Sequence, residues 1–193
     1  MDFITALGGI GAAFGLATSA GLNAYVPLLM VALVARFTDL IHLAEPYDLL
    51  TSWWVIGVLA VLLVIEMLVD KVPAVDTVND VVQTFVRPAA GAVLFAANAG
   101  VINDISPVLA LLAGVLLAGT VHTTKAAARP IITASTAGTG NWLVSLLEDV
   151  TATFMSLLSI ILPILMLFAS ILLIAVGIRF WRRRRQKAAY AVE

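Results

Sequence analysis

The chain has 193 residues, 62% hydrophobic and 12% charged, with a formal net charge of −1 and no cysteine. Soluble domains carry about 25% charged residues, so a mean hydropathy of +1.06 argues against an ordinary soluble domain. The missing cysteine excludes disulfides and thiolate metal sites, and six of the eleven lysines and arginines crowd into the segment from Arg179 to Lys187. A basic run that abuts an apolar run speaks for a membrane protein and against a nucleic-acid partner.

The first apolar run extends from Ile4 to Ala35 and is rich in glycine (Gly8, Gly9, Gly11, Gly15, Gly21). A membrane span needs about 20 residues, so this run is expected to hold a glycine-rich lead-in or half-helix and then a span from about Ala17 to Ala35. It lacks the basic start of a signal peptide and is expected to be mature structure. The second run goes from Trp53 to Val69. After it, Val78, Val81, Val82 and Phe85 recur at helical spacing, which predicts a short amphipathic surface helix, capped by Asp76 and ended by Pro88. The third run covers Pro88 to Ile102 and the fourth Pro107 to Val121. A weaker uncharged stretch follows from Pro130 to Leu147. The last run, Thr151 to Ile178, is long enough to cross with tilt. Pro27 and Pro163 fall inside apolar runs and are expected to kink them.

Lysine and arginine placement sets the orientation. If the stretch from Pro130 to Leu147 crosses, six spans leave the Lys71–Arg87 loop, Lys125, Arg129 and the tail inside and only Arg36 outside. If it is re-entrant, five spans put Lys71, Arg87, Lys125 and Arg129 outside, against the rule. The reading is therefore an all-α polytopic transmembrane bundle of about six spans with both termini cytoplasmic. One membrane domain covers residues 1–180 and a basic tail covers 181–193. Trp53 and Trp54 then lie at the outer interface and Trp181 at the inner one. The tail at Arg182–Lys187 either binds anionic lipids, at about 1 kcal/mol per cation, or is a plain topology signal. The bilayer is the expected partner, a homo-oligomer is compatible with the composition, and no cofactor is implied.

The segment from Ala17 to Tyr25 resembles that from Ala134 to Trp142: small hydroxylated residues, a glycine, an asparagine and an aromatic recur in order. This points to an internal repeat over 17–70 and 134–178, of the kind that places transporter sites where broken helices meet, or else to small residues that serve close packing.

Among the ionisable residues Glu66 stands out, because a carboxylate within an apolar helix must face the bundle interior or water. Asp70 lies one turn on, beside Lys71, and the carboxylates suit a cation or a proton; the plainer reading pairs Glu66 with Lys125 or Arg129. His122, Lys125 and Arg129 share a helix face and would form either an ion-pair network or a pocket for phosphate or carboxylate. Asn23 and Asn141, each near glycine, are candidates for helix-interface or ion contacts. Glu148 and Asp149 are expected on the outer side. Asp76 and Asp80 are weak metal candidates, since a tandem-aspartate lipid enzyme would need glycines and an arginine among them. His42 falls in a loop. The sequence holds no nucleophile–base pair and no P-loop, so an enzyme is not expected.

The segments from Gly21 to Leu29, from Glu66 to Asp76 and from Arg87 to Ala92, together with Glu148-Asp149, resemble a bacterial integral membrane family described as domain of unknown function 4126. The resemblance covers roughly residues 15 to 180, and its Glu66–Asp76 segment is the most specific. It implies a polytopic inner-membrane protein and carries no activity, cofactor or site residue with it. Three functions remain in view: a small transporter or channel built on the charged residues, a membrane scaffold in which those charges fix helix register, and a lipid-headgroup enzyme using Asp76 and Asp80. A water-filled cavity reaching Glu66 would favour the first, and a dry bundle with Glu66 bridged to a base the second.

Overall fold

In lipid an apolar run can satisfy its backbone by hydrogen bonds within a helix, and among the described residues each long apolar run is helical. The computed structural model describes residues 3–69, 73–99, 106–136, 140–169, 171–172 and 179, and no strand occurs among them. The order is α1 (Phe3–Leu22), α2 (Tyr25–Phe37), a 3-10 turn at Tyr47–Thr51, α3 (Trp53–Val69), α4 (Pro73–Ala99), α5 (Pro107–Thr136) and α6 (Asn141–Ile161). Three helices, α1, α5 and α6, are long and apolar enough to cross a membrane, while α2 and α3 are shorter apolar helices.

The all-α class and the second run, Trp53–Val69, stand as expected. Several boundaries do not. The first run breaks at Asn23-Ala24, not near Ala17, and yields two helices. Pro27 does not kink α2, because it lies in the first turn, where its missing N–H has no partner to lose. Asp76 is inside α4 and not its cap, and Pro88 does not end a surface helix: α4 runs through it to Ala99. Pro130 likewise lies within α5. The stretch from Pro130 to Leu147 is therefore not one span. It holds the end of α5, at Thr136, and the start of α6, at Asn141. At Pro163 the expected interruption occurs: α6 stops at Ile161, the chain bends at Leu162, and helix resumes over 163–169. The tail at 180–193, with Trp181 and Arg182–Lys187, lies outside the described residues.

The centre of the bundle is α1, which packs on α4, α5 and α6. Its contact with α6 is antiparallel and made of small residues. Gly11 faces Pro163 and Gly15 faces Ser159. Ser19 Oγ is 2.8 Å from Ser156 Oγ and donates to the Ala152 carbonyl at 2.8 Å. One residue per turn along α1 is small, so the two backbones approach closely, the device that packs helices where lipid supplies no hydrophobic drive. A second close crossing joins α4 and α5, where Gly91 and Gly114 each leave no room for a Cβ because the other's backbone carbonyl occupies the space.

The outward faces are apolar. Trp54, Val58, Val61, Ile65 and Leu68 of α3 are exposed, as are Leu112 and Leu116 of α5 and Phe154 and Leu157 of α6. Exposed hydroxyls are satisfied within their own helices: Thr120, Thr123 and Thr124 of α5 and Thr151 and Thr153 of α6 each donate to the carbonyl four residues back, at 2.6–2.8 Å. That arrangement suits a surface without water. Where α2 ends and α3 begins, Arg36 stacks 4.1 Å over the Trp53 ring and donates to the Thr51 carbonyl at 2.6 Å. Phe37 meets the same indole edge-on. Such a cation–aromatic knot fits a bilayer interface.

The glycine crossing makes a testable contrast. Gly114→Val, forced against the Gly91 backbone, is expected to destabilise by about 1–3 kcal/mol. Gly57→Ala, on an open face of α3 with nothing within 4 Å of a new Cβ, should be neutral or stabilising by up to about 1 kcal/mol through helix propensity. Unfolding of the two variants in one detergent, followed by circular dichroism, checks both.

Candidate functional site

A polar layer crosses the bundle at the level where α1 gives way to α2. The break itself is organised by Asn23, which is 1% exposed. Its Oδ1 accepts from the Tyr25 and Val26 amides at 2.9 and 3.0 Å, satisfying two of the N–H groups that a helix start leaves without partners. Its Nδ2 donates to Asp149 Oδ1 at 2.8 Å, which ties the break to α6.

Beside it, Arg87 of α4 is the largest fully buried side chain, at 1% exposure. Its Nη2 donates to Glu66 Oε1 of α3 at 3.0 Å, and its Nη1 lies 3.2 Å from His122 Nδ1 of α5. A guanidinium only donates, so Nδ1 is the acceptor and the ring hydrogen sits on Nε2, which is 3.1 Å from Thr84 Oγ1. The contacts thus describe a neutral imidazole with a fixed tautomer. Gln83, one turn before Arg87, is also buried at 1% exposure.

A second ionic group joins α5 to α6. Lys125 Nζ is 2.7 Å from Glu148 Oε2, and Arg129 Nη2 is 3.5 Å from the same oxygen. Arg129 Nη2 also donates to Ser145 Oγ at 2.9 Å, and Lys125 Nζ reaches the Leu22 carbonyl at 3.4 Å. That carbonyl is freed by the break and carries the negative end of the α1 dipole, so a lysine belongs there.

The structure gathers Glu66, His122, Lys125, Arg129 and Asn23 into this layer, but changes their partners. Glu66 bridges to Arg87, not to Lys125 or Arg129, because those two are held by Glu148. Glu148 and Asp149 are not on an opposite outer side; they meet the basic face of α5 and Asn23, since α6 begins just after α5 ends. Asn141 is the first residue of α6, where its Oδ1 accepts from Thr133 Oγ1 at 3.1 Å, away from Asn23. Asp70 and Lys71 lie outside the described residues. Asp76 and Asp80 stand on α4, with side chains outside the described set.

Arg87 is the residue that sequence reading placed in a loop. The signal for it was present but inverted: Val81, Val82 and Phe85, taken as a membrane-surface face, are exposed, and the polar Gln83 and Arg87, four residues apart, point inward. In a bundle surrounded by lipid the apolar stripe faces out and the polar one faces in.

An apolar groove of about 350 Å³ between α2, α3 and α6 is lined by Val26, Met30, Leu63 and Thr153 among others. Val26 and Leu63 are each one turn from Asn23 and Glu66, neither of which lines it.

The chain belongs to the family described as domain of unknown function (DUF4126). The family model matches residues 10–183, which takes in every element of the polar layer. No curated protein and no solved structure matches the chain. In this DUF4126 member the Glu66–Arg87 bridge joins two of the segments on which the resemblance rests.

Removing one partner of a buried pair leaves an uncompensated charge, while replacing both by apolar groups of similar size is often close to neutral. Both side chains here are at most 2% exposed. Arg87→Met is expected to destabilise by about 3–5 kcal/mol, and the double variant Glu66→Met with Arg87→Met to recover most of that loss. Thermal unfolding of the three proteins decides this; a double variant no more stable than the single one would show that the pair does not act as a unit.

Proposed function

We propose that the protein is a small membrane transporter or channel for an ion or small anionic solute, with α1–α6 as six crossings, both termini cytoplasmic, and the polar layer as its site. The observation that carries this is the convergence of buried ionisable groups from α3, α4 and α5, and of the half-buried carboxylates of α6, on the α1–α2 break. Charged groups inside a membrane bundle are costly and mark ion or substrate pathways by default. A break that presents a helix-end carbonyl to Lys125 and a capped helix start is also the kind of element that holds ions and substrates in transporters. In this reading Glu66 and the α6 carboxylates take a cation or proton, and Lys125 and Arg129 take an anionic group.

One observation favours a second reading, the non-catalytic scaffold: Glu66 is 3% exposed and bridged to Arg87. A bundle whose charges are permanently paired this way needs no water path. The lipid-headgroup enzyme requires the Asp76 and Asp80 carboxylates to converge with other acids, and nothing among the described residues supports it.

The cysteine-free chain allows a direct discrimination. Ser145→Cys, beside Arg129, is expected to react with a membrane-impermeant thiol reagent in proteoliposomes if water reaches the layer. In the same vesicles Glu66→Gln is expected to lower proton or sodium flux by about tenfold, equivalent to 1.4 kcal/mol. An unreactive thiol together with unchanged flux in Glu66→Gln would overturn the transporter reading and leave the scaffold.

A further inference from the structure

The clamp on Glu148 differs from the Glu66–Arg87 bridge in ways that bear on what it holds. Both cations, Lys125 and Arg129, reach a single oxygen, Oε2. The carboxylate they hold is the less buried partner: the Glu148 side chain is 14% exposed, against 5% for Lys125 and 9% for Arg129. The cations are anchored independently of it, Lys125 by the Leu22 carbonyl and Arg129 by Ser145 Oγ. Apart from this ionic bridge, α5 and α6 pack against each other far less than α1 packs against either. The two cations of the clamp therefore stand on α5, while Ser145 and the carboxylate they hold both come from α6.

We propose that Glu148 is a tethered stand-in for the solute, and that the clamp of Lys125, Arg129 and Ser145 binds a small free carboxylate that displaces the Glu148 side chain. This deepens the transport reading and rests on it. The exchange is balanced: one carboxylate with one negative charge enters as another leaves, so the two buried cations never lose their counter-ion. The entering group takes over the two ion pairs that Lys125 and Arg129 make with Glu148. The released Glu148 swings toward the less buried edge, while the Arg129–Ser145 bond continues to join α5 to α6. A carboxylate is preferred to a phosphate because a single carboxylate oxygen already sits between the two cations.

A tethered competitor raises the apparent dissociation constant of the free one through an effective concentration in the millimolar range. Equilibrium binding of radiolabelled acetate to the purified full chain, at constant chloride, tests this. Weak saturable binding is expected for the unmodified chain. Binding about tenfold or more tighter is expected for Glu148→Ala and for the better-filled Glu148→Gln, and loss of binding when Arg129→Gln is added to Glu148→Gln. Inorganic phosphate in a parallel arm is expected to compete poorly. Absence of acetate binding in Glu148→Gln, or binding that survives Arg129→Gln, would overturn the proposal. So would binding confined to the Glu148 variants, with none to the unmodified chain at ~100 mM acetate, well above the millimolar effective concentration of a short tether; Glu148 would then be a fixed counter-ion. Preferential competition by phosphate would reassign the clamp to phosphate. The two levels fail separately: proton or sodium flux without acetate binding sinks only the carboxylate clamp, and acetate binding without flux of any kind sinks only transport.

Discussion

A guanidinium that no water reaches sets the terms for the rest of this bundle. Arg87 is 1% exposed in the middle of α4, and a charge in that position demands a counter-charge and further hydrogen-bond partners. Glu66 from α3 supplies the first and His122 from α5 the second. Three helices are thereby fixed in rotation and depth by one side chain, and the tautomer of His122 follows from the same contact. Apolar packing alone does not specify register so sharply, because one Leu- or Val-lined face slides over another at little cost, whereas an ion pair tolerates almost no displacement.

The close helix crossings serve that requirement. Glycine at 91 and 114 brings α4 and α5 near enough for Arg87, one turn before Gly91, to meet His122, two turns after Gly114, and glycine and serine along α1 let α6 approach until Asn23 and Asp149 are in contact. Small residues and buried charges are thus two parts of one arrangement. The first shortens the distances between backbones, and the second uses the shortened distances.

Much of the architecture was legible in the chain, and what was missed has definite causes. The all-helical class followed from composition, and α3 followed from a run whose ends are marked by tryptophans and by charge. Glu66, His122, Lys125 and Arg129 were legible as inward-facing groups because a charge in an apolar helix has few places to go. Arg87 was missed because a short amphipathic stretch reads the same whether its apolar side faces a core or faces lipid. Pro88 and Pro130 were read as boundaries from local backbone rules, whereas inside a bundle neighbouring helices can satisfy the groups that proline frees. The pairing of Glu148 with α5 was hidden because it depends on where α5 ends, and α5 runs through Pro130 to Thr136. With Arg87, Lys125 and Arg129 all buried, the count of loop cations behind the expected orientation also loses three of its members.

Asn23 draws these threads together in a single amide. Its oxygen starts α2 while its nitrogen grips Asp149, so the opening turn of one helix and the carboxylate beside the α5–α6 clamp share a pivot one residue wide. Any shift of α6 tugs on the first amides of α2, and any reorientation of α2 is felt at Asp149. A hinge of this kind has no spare degree of freedom: the primary amide is the one neutral side chain of its size with both a double acceptor and a donor pair, and its carboxylate isostere would keep the oxygen's task while turning the other grip into repulsion.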